Sequence, residues 1–245
     1  MKDNDDSSQL DAVLKGLGIG CAMLALIMPG QVTSRQSRQA PAALQQQSVL
    51  EQLPRAADFA DGQATLEVRE MANWVMGSRD HRGMPFVIVD KRHATVYVFQ
   101  PDGKLKGVTP ALMGSAVGDD SVTGIGEREM SAIRPHERTT PAGRFVSMPG
   151  VNSHGEDIVW VDYQAAVSMH RVRAKEPSER RLERLASATT DDNRISFGCI
   201  NLPVEFYETM VKPVLGAARG VIYVLPETRP LQAVFDGYGV ASGKS

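Results

Sequence analysis

A change of hydrophobic period at Phe86 constrains this chain more than any other feature. Before it, Val68, Met71, Ala72 and Val75 recur at i, i+3, i+4 and i+7, the spacing of one helical face, and Gly77-Ser78 stops that helix. After it, Phe86-Val87-Ile88-Val89 and Thr95-Val96-Tyr97-Val98-Phe99 are β-branched and aromatic runs, and the turn signal Pro101-Asp102-Gly103-Lys104 closes the second of them. Further strands are expected over 144–148, 158–161, 166–170 and 221–225. The fold class is therefore mainly β with a few helices, an α+β arrangement with an N-terminal helix as brace.

The chain has 245 residues, 42% hydrophobic and 23% charged, enough for one domain plus an extension. The net charge of −2 gives no basic field for nucleic acid or a lipid surface, and the aromatic fraction of 6% gives no stacking platform. Residues 16–28 carry no charge, and Pro29-Gly30 ends the run. Thirteen residues are short for a membrane span and suit the apolar region of an export signal. Its flank is unusual, since Lys2 and Lys15 are outnumbered by Asp3, Asp5, Asp6 and Asp11. Glycines 16, 18 and 20 weaken the rival reading of a buried helix. Residues 1–30 are thus expected to be a signal peptide or membrane anchor. A flexible linker over 31–63 comes next, rich in Gln, Ser, Ala and Arg, then a helix and loop over 64–83, a folded domain over 84–226 and a tail over 227–245.

Only two cysteines occur, and Cys21 lies in the apolar N-terminal run. Once that run is removed or membrane-embedded, Cys199 has no disulfide partner in an oxidising compartment, which makes it a candidate reactive thiol. It sits in Ser196-Phe197-Gly198-Cys199-Ile200-Asn201, followed by Pro203 and a helical pattern at Phe206, Tyr207, Met210 and Val211. The expected setting is a turn before a helix N-terminus, whose free N–H groups and dipole favour a thiolate. A buried space-filling thiol is the alternative. Val167-Ser168-Met169-His170 reads as a strand delivering a histidine. His136 is the second candidate base, while His81, His93 and His154 fall at loop or turn positions. No metal-ligand spacing accompanies Cys199.

Thr140-Pro141-Ala142-Gly143-Arg144-Phe145, then His170, then Ser196-Phe197-Gly198-Cys199-Ile200-Asn201 resemble, in that order, the motifs of the L,D-transpeptidase catalytic domain of bacterial cell-wall enzymes. The resemblance spans roughly residues 84–226. It implies a mixed-sheet, β-sandwich-like fold with an open groove, and a cysteine acyl transferase acting on peptidoglycan stem peptides in the periplasm or cell envelope. Cys199 is the nucleophile it implies, and His170 the general base, oriented by the backbone carbonyl of Arg171. N–H groups around Gly198 and Cys199 would stabilise the oxyanion, and Ser196 and Asn201 join the substrate-binding set. Asn201 also reads as a residue holding the turn, or as a helix N-cap. No metal or organic cofactor is implied. The acyl acceptor is an amine of a second stem or of a wall-attached protein; water as acceptor makes a carboxypeptidase or amidase. A weakly catalytic wall-binding module is the rival of another class.

The sequence departs from the family pattern twice. Phe197 stands where the family has histidine. His170 and Cys199 are 29 positions apart, a longer spacing than the family's, because of a charged insertion over 171–194 with seven basic and five acidic residues. Within it, Ser178 is expected to cap a short helix that turns Leu182, Leu185 and Ala186 inward. The insertion reads either as a solvated charged helix or as a lid over the groove. The 119–139 segment, with Gly124 and Gly126, reads as a mobile surface loop.

Overall fold

The computed structural model describes residues 55–239, within a unit spanning 40–245. The expected export segment with Cys21, residues 31–54 of the expected linker and the last six residues lie outside the described residues. Among the described residues the chain forms α1 (Leu66–Ser78), β1 (Phe86–Asp90), β2 (Thr95–Phe99), β3 (Leu105–Pro110), β4 (Met113–Gly114), β5 (Gly143–Val146) and β6 (Met148–Val151). Next come β7 (Asp157–Asp162), β8 (Val167–Arg171), the short α2 (Arg181–Ala186), β9 (Arg194–Ser196) and β10 (Ile200–Leu202). The helical stretch α3 joins Val204–Phe206, a π turn at Tyr207–Val211, and Lys212–Leu215; β11 (Val221–Val224) comes after it. No helix of the described residues is long and apolar enough to cross a membrane.

A five-stranded sheet runs in the order β3-β2-β1-β11-β5, a four-stranded sheet in the order β10-β8-β7-β6, and β4 pairs with β9. The two large sheets pack face to face. Strand alternation divides the residues of β1: Val87 and Val89 point into the core shared with the second sheet, beside Val159, Met169 and Ile200. Phe86 and Ile88 point the other way, into a second core with Met71, Val75 and Met76 of α1. Both faces of the central sheet are covered, so its strands read as unbroken apolar runs rather than alternating ones. Thr65 caps α1 by accepting from the Val68 N–H at 3.3 Å. Within the 31–63 stretch, Asp58 bridges Lys104, and the buried Phe59 meets Phe99 edge-on at 5.4 Å.

Several strands escaped the sequence signals. β3 holds Gly107, whose missing Cβ leaves room for the Phe206 ring, 3.0 Å from where that atom would sit. Its Gly and Pro content masks a strand. The 119–139 segment contains three 3₁₀ turns with Ile125 and Ile133 buried, and Gly126 lies directly against the backbone of 164–166.

One buried ammonium ties the loops at this end of the sandwich together. Lys91 follows β1 and is 1% exposed. Its Nζ donates to the carbonyls of Gly118 at 2.6 Å and Thr140 at 2.9 Å, and to Asp119 Oδ1 at 2.8 Å. Asp119 also accepts from the N–H groups of Glu227, Thr228 and Arg229. Burial pushes its carboxyl up, but donation from Lys91, Thr228 and the backbone outweighs this and holds it far below the usual carboxylate range. Glu227 lies 3.5 Å from the ammonium and pairs with Arg194 at the start of β9.

Replacing Asp119 with alanine takes the nearest carboxylate from a buried cation and leaves three backbone N–H groups without their acceptor, so the loss should be about 3–5 kcal/mol at pH 7. A carboxyl with a depressed pKa contributes its stability above the unfolded value, near 3.9, and loses it as pH falls toward the folded one. The gap between wild type and Asp119→Ala in urea unfolding should therefore narrow below about pH 4. Equal stability at pH 7 would show that the carboxylate is not needed.

Candidate active site

The site is set by the register of two neighbouring strands. β10 runs parallel to β8, with Ile200 opposite Met169 and Asn201 opposite His170. Val167 and Met169 face the core, so alternation puts Ser168 and His170 on the outer face. Cys199, one residue before β10, meets them there. Its half-buried Sγ lies 3.5 Å from the Ser168 N–H donor and 3.6 Å from the Ser168 hydroxyl. The His170 imidazole lies on the same face, near enough to act on that sulfur. The Nδ1–H of His170 donates to the Arg171 carbonyl at 2.7 Å, which leaves Nε2 for the thiol. Burial pushes the Cys199 thiol up; the hydrogen bond and charge of His170 and donation from Ser168 pull harder, so it lies below its ordinary value.

The helix-terminus setting expected for Cys199 is not what the structure has. β10 intervenes, and α3 starts at Val204 with Pro203 as N-cap. The chain from 200 to 203 separates the sulfur from that helix end, beyond the first turn over which its field acts. The thiol depends on His170 and Ser168 instead. Nor is Asn201 an N-cap: its Nδ2 donates to the Cys199 carbonyl at 3.1 Å.

The Cys199 loop is clamped by two buried hydroxyls. The Ser196 hydroxyl donates to the Cys199 carbonyl at 2.7 Å and accepts from the Gly198 N–H at 3.1 Å. The wholly buried Thr140 hydroxyl donates to the Gly198 carbonyl at 2.8 Å and accepts from the Gly114 N–H at 2.9 Å. Gly198 sits at φ +128°, and a Cβ there would fall 2.6 Å from the Thr139 carbonyl, so only glycine fits.

These contacts define how the expected site residues are held. Ser196 and Asn201 are buried and occupied inside the loop, so neither is presented to a substrate. The Gly198 N–H is already bound and is not an open oxyanion donor. The Arg171 guanidinium is held by Asp157 and Glu208 and lies 4.4 Å from the Tyr207 ring centre, which leaves only its carbonyl in the site.

The other histidines lie apart from the sulfur. His136 is exposed in the 3₁₀ turn Pro135–Glu137. His81 is buried between the carbonyls of Val75 and Pro101, and His93 pairs with Asp90. His154 is exposed beside Ser153. Phe197 stacks under the Arg138 guanidinium at 4.0 Å. In the insertion, Arg180 rather than Ser178 holds the N-cap position of α2, without a side-chain capping bond, and Leu185 is buried against Leu112 and Val172 while Leu182 is 58% exposed.

Sequence reasoning missed Ser168, Thr140 as a clamp, and Arg181, whose Nη1 donates to Asn201 Oδ1 at 2.9 Å. Ser168 had a signal: it precedes His170 by two in a strand and so shares its face. Arg181 had none, because its partner lies across the insertion.

No family model matches the chain, and no curated protein matches it. Among solved structures, it is similar in fold to an L,D-transpeptidase from Xylanimonas cellulosilytica, at 15% identity over 58% of this chain and 60% of that one, TM-score 0.35. It is also similar to one from Mycobacterium tuberculosis, at 19% identity over 58% and 57%, TM-score 0.35. The helical cell shape determining protein Pgp2 of Campylobacter jejuni matches at 14% identity over 60% and 49%, TM-score 0.39. The chain spans about half to three fifths of the length of these structures.

Thr140→Val should cost about 1–3 kcal/mol, since it leaves the buried Gly114 N–H unpaired and removes the donor to Gly198. Alkylation of Cys199 should slow with it, and Thr140→Ser should restore both. Melting curves and iodoacetamide kinetics read the two effects; unchanged alkylation in a destabilised valine variant would separate Thr140 from the nucleophile.

Proposed function

We propose that the protein is a cysteine acyl transferase acting on peptidoglycan stem peptides. The observation that carries this reading is the thiol of Cys199 held between His170 and Ser168, with the His170 ring fixed by the Arg171 carbonyl. The order of the three motifs supports the substrate class.

In this reading His170 Nε2 takes the Cys199 proton. The thiolate attacks a stem-peptide carbonyl, and a tetrahedral oxyanion forms. The Cys199 N–H is the backbone donor that would face it, since Gly198's is occupied. Collapse expels the leaving D-alanine, whose nitrogen receives the proton from His170, and leaves a thioester on Cys199. An amine of a second stem or of a wall-attached protein then attacks the thioester, giving an amide and the free thiol. Water in that place gives the acid, and the enzyme is then a carboxypeptidase. These acceptors belong to the cell envelope, which is where we place the protein.

Incubation with purified muropeptides followed by mass spectrometry tests the reading. A cross-linked dimer lacking D-alanine is the expected product, absent with Cys199→Ala. Hydrolysed monomer would make it a peptidase. Unchanged muropeptide that co-sediments with the protein would make it a binding module and overturn the proposal.

The pH profile tests the base. A thiol lowered by His170 should alkylate well below pH 8, and His170→Ala should move the midpoint up toward the free value of about 8.5. His136→Ala should leave it in place. A shift with His136→Ala and none with His170→Ala would reassign the base.

A further inference from the structure

The insertion between β8 and β9 reaches the nucleophile loop through one side chain. Arg181, in the first turn of α2, donates from Nη1 to Asn201 Oδ1 at 2.9 Å. The opposite end of that amide, Nδ2, donates to the Cys199 carbonyl at 3.1 Å. Asn201 is 1% exposed and lies in register opposite His170, so water has little access to its amide. Glu179 accepts from Arg181 Nε at 2.5 Å and Nη2 at 3.4 Å, a two-point grip that fixes the plane of the guanidinium. The chain of contacts runs Glu179, Arg181, Asn201, Cys199.

We infer that Arg181 is a positioning residue for the Cys199 thiol, acting through the Asn201 amide. An amide has two ends that differ in chemistry: oxygen accepts and nitrogen donates. The Cys199 carbonyl only accepts, so it requires Nδ2. A guanidinium only donates, so it requires Oδ1. Arg181 therefore selects the amide orientation that the loop needs. With Arg181 gone, the flipped amide would set Oδ1 against the Cys199 carbonyl, two acceptors facing each other in a buried place. The carbonyl would then keep only the Ser196 hydroxyl, and the backbone that aims Sγ at His170 and the Ser168 N–H would be held at one point less. The link from α2 to Asn201 is a charge-assisted bond, stronger than a neutral one.

The inference rests on Cys199 being the nucleophile of the proposed reaction, but its test needs no substrate. Iodoacetamide alkylation of Cys199, followed from pH 5 to pH 10, reads the reactivity and the titration midpoint of the thiol in the full chain. Arg181→Gln should lower the rate at pH 7 by about fivefold to tenfold, less than the full worth of one charge-assisted hydrogen bond because the effect reaches the thiol through Asn201, and move the midpoint upward. Arg181→Lys, which keeps a cationic donor, should recover much of both. Arg180→Gln is the control: it neighbours Arg181 and pairs with Glu183, and should change neither. A double-mutant cycle isolates the route. In an Asn201→Ala background, Arg181→Gln should have no further effect. Additive losses, or a profile unmoved by Arg181→Gln, would overturn the inference. Should Asn201→Ala fail to fold, the single variants decide, because a merely structural arginine would change the melting temperature and leave the midpoint alone. If alkylation follows this pattern while muropeptides stay unprocessed, the acyl-transfer reading fails and the positioning role stands.

Discussion

The ammonium of Lys91 is the interaction on which the site depends. A charge taken out of water must recover its lost hydration from fixed partners, and Lys91 does so with two carbonyls and Asp119. One of those carbonyls belongs to Thr140, whose hydroxyl in turn grips Gly198. The end of β1, the 118–119 loop, the Thr140 turn and the segment after β11 thus converge on one buried cation. Three of these segments are distant in sequence, and none carries a hydrophobic signal of its own. The cation sets where Thr140 lies, and Thr140 sets where the Cys199 loop lies.

Around this anchor the sandwich supplies a rigid outer face. The inner faces of β7, β8 and β10 are committed to the core by Val159, Met169 and Ile200, so their alternate residues have no choice but to face outward. His170 and Ser168 gain their geometry from that commitment. The electrostatics stem from the same arrangement: a half-buried sulfur would resist ionisation, and a fixed imidazole and a backbone N–H reverse the balance.

Much of this was legible in the sequence. The helical spacing from Val68 and the β-branched runs from Phe86 define α1, β1 and β2 closely. The motif order names Cys199 and His170 as the pair to look for, and the structure puts them on neighbouring strands at one face. Three things were not legible. Ile200–Leu202 is too short a run to read as a strand, so the helix after Pro203 reads as adjacent to Cys199 when it is not. The polar side chains around the loop, Ser196 and Asn201, read as substrate groups because sequence shows residue type but not burial. Long-range polar contacts such as Lys91 with Asp119 and Arg181 with Asn201 have no periodicity, so no window along the chain reports them.

The parallel pairing of β8 with β10 has a further consequence. Cys199 and His170 are brought together laterally, by rungs of a ladder, and not by the chain that joins them. Closure of a longer connection costs little, about 0.6 kcal/mol for each doubling of length. The number of residues between a histidine and a cysteine in such a protein is therefore close to a free variable: it can drift while the reacting atoms stay where the ladder puts them. A search that fixes this spacing will pass over chains that hold the same pair on the same ladder.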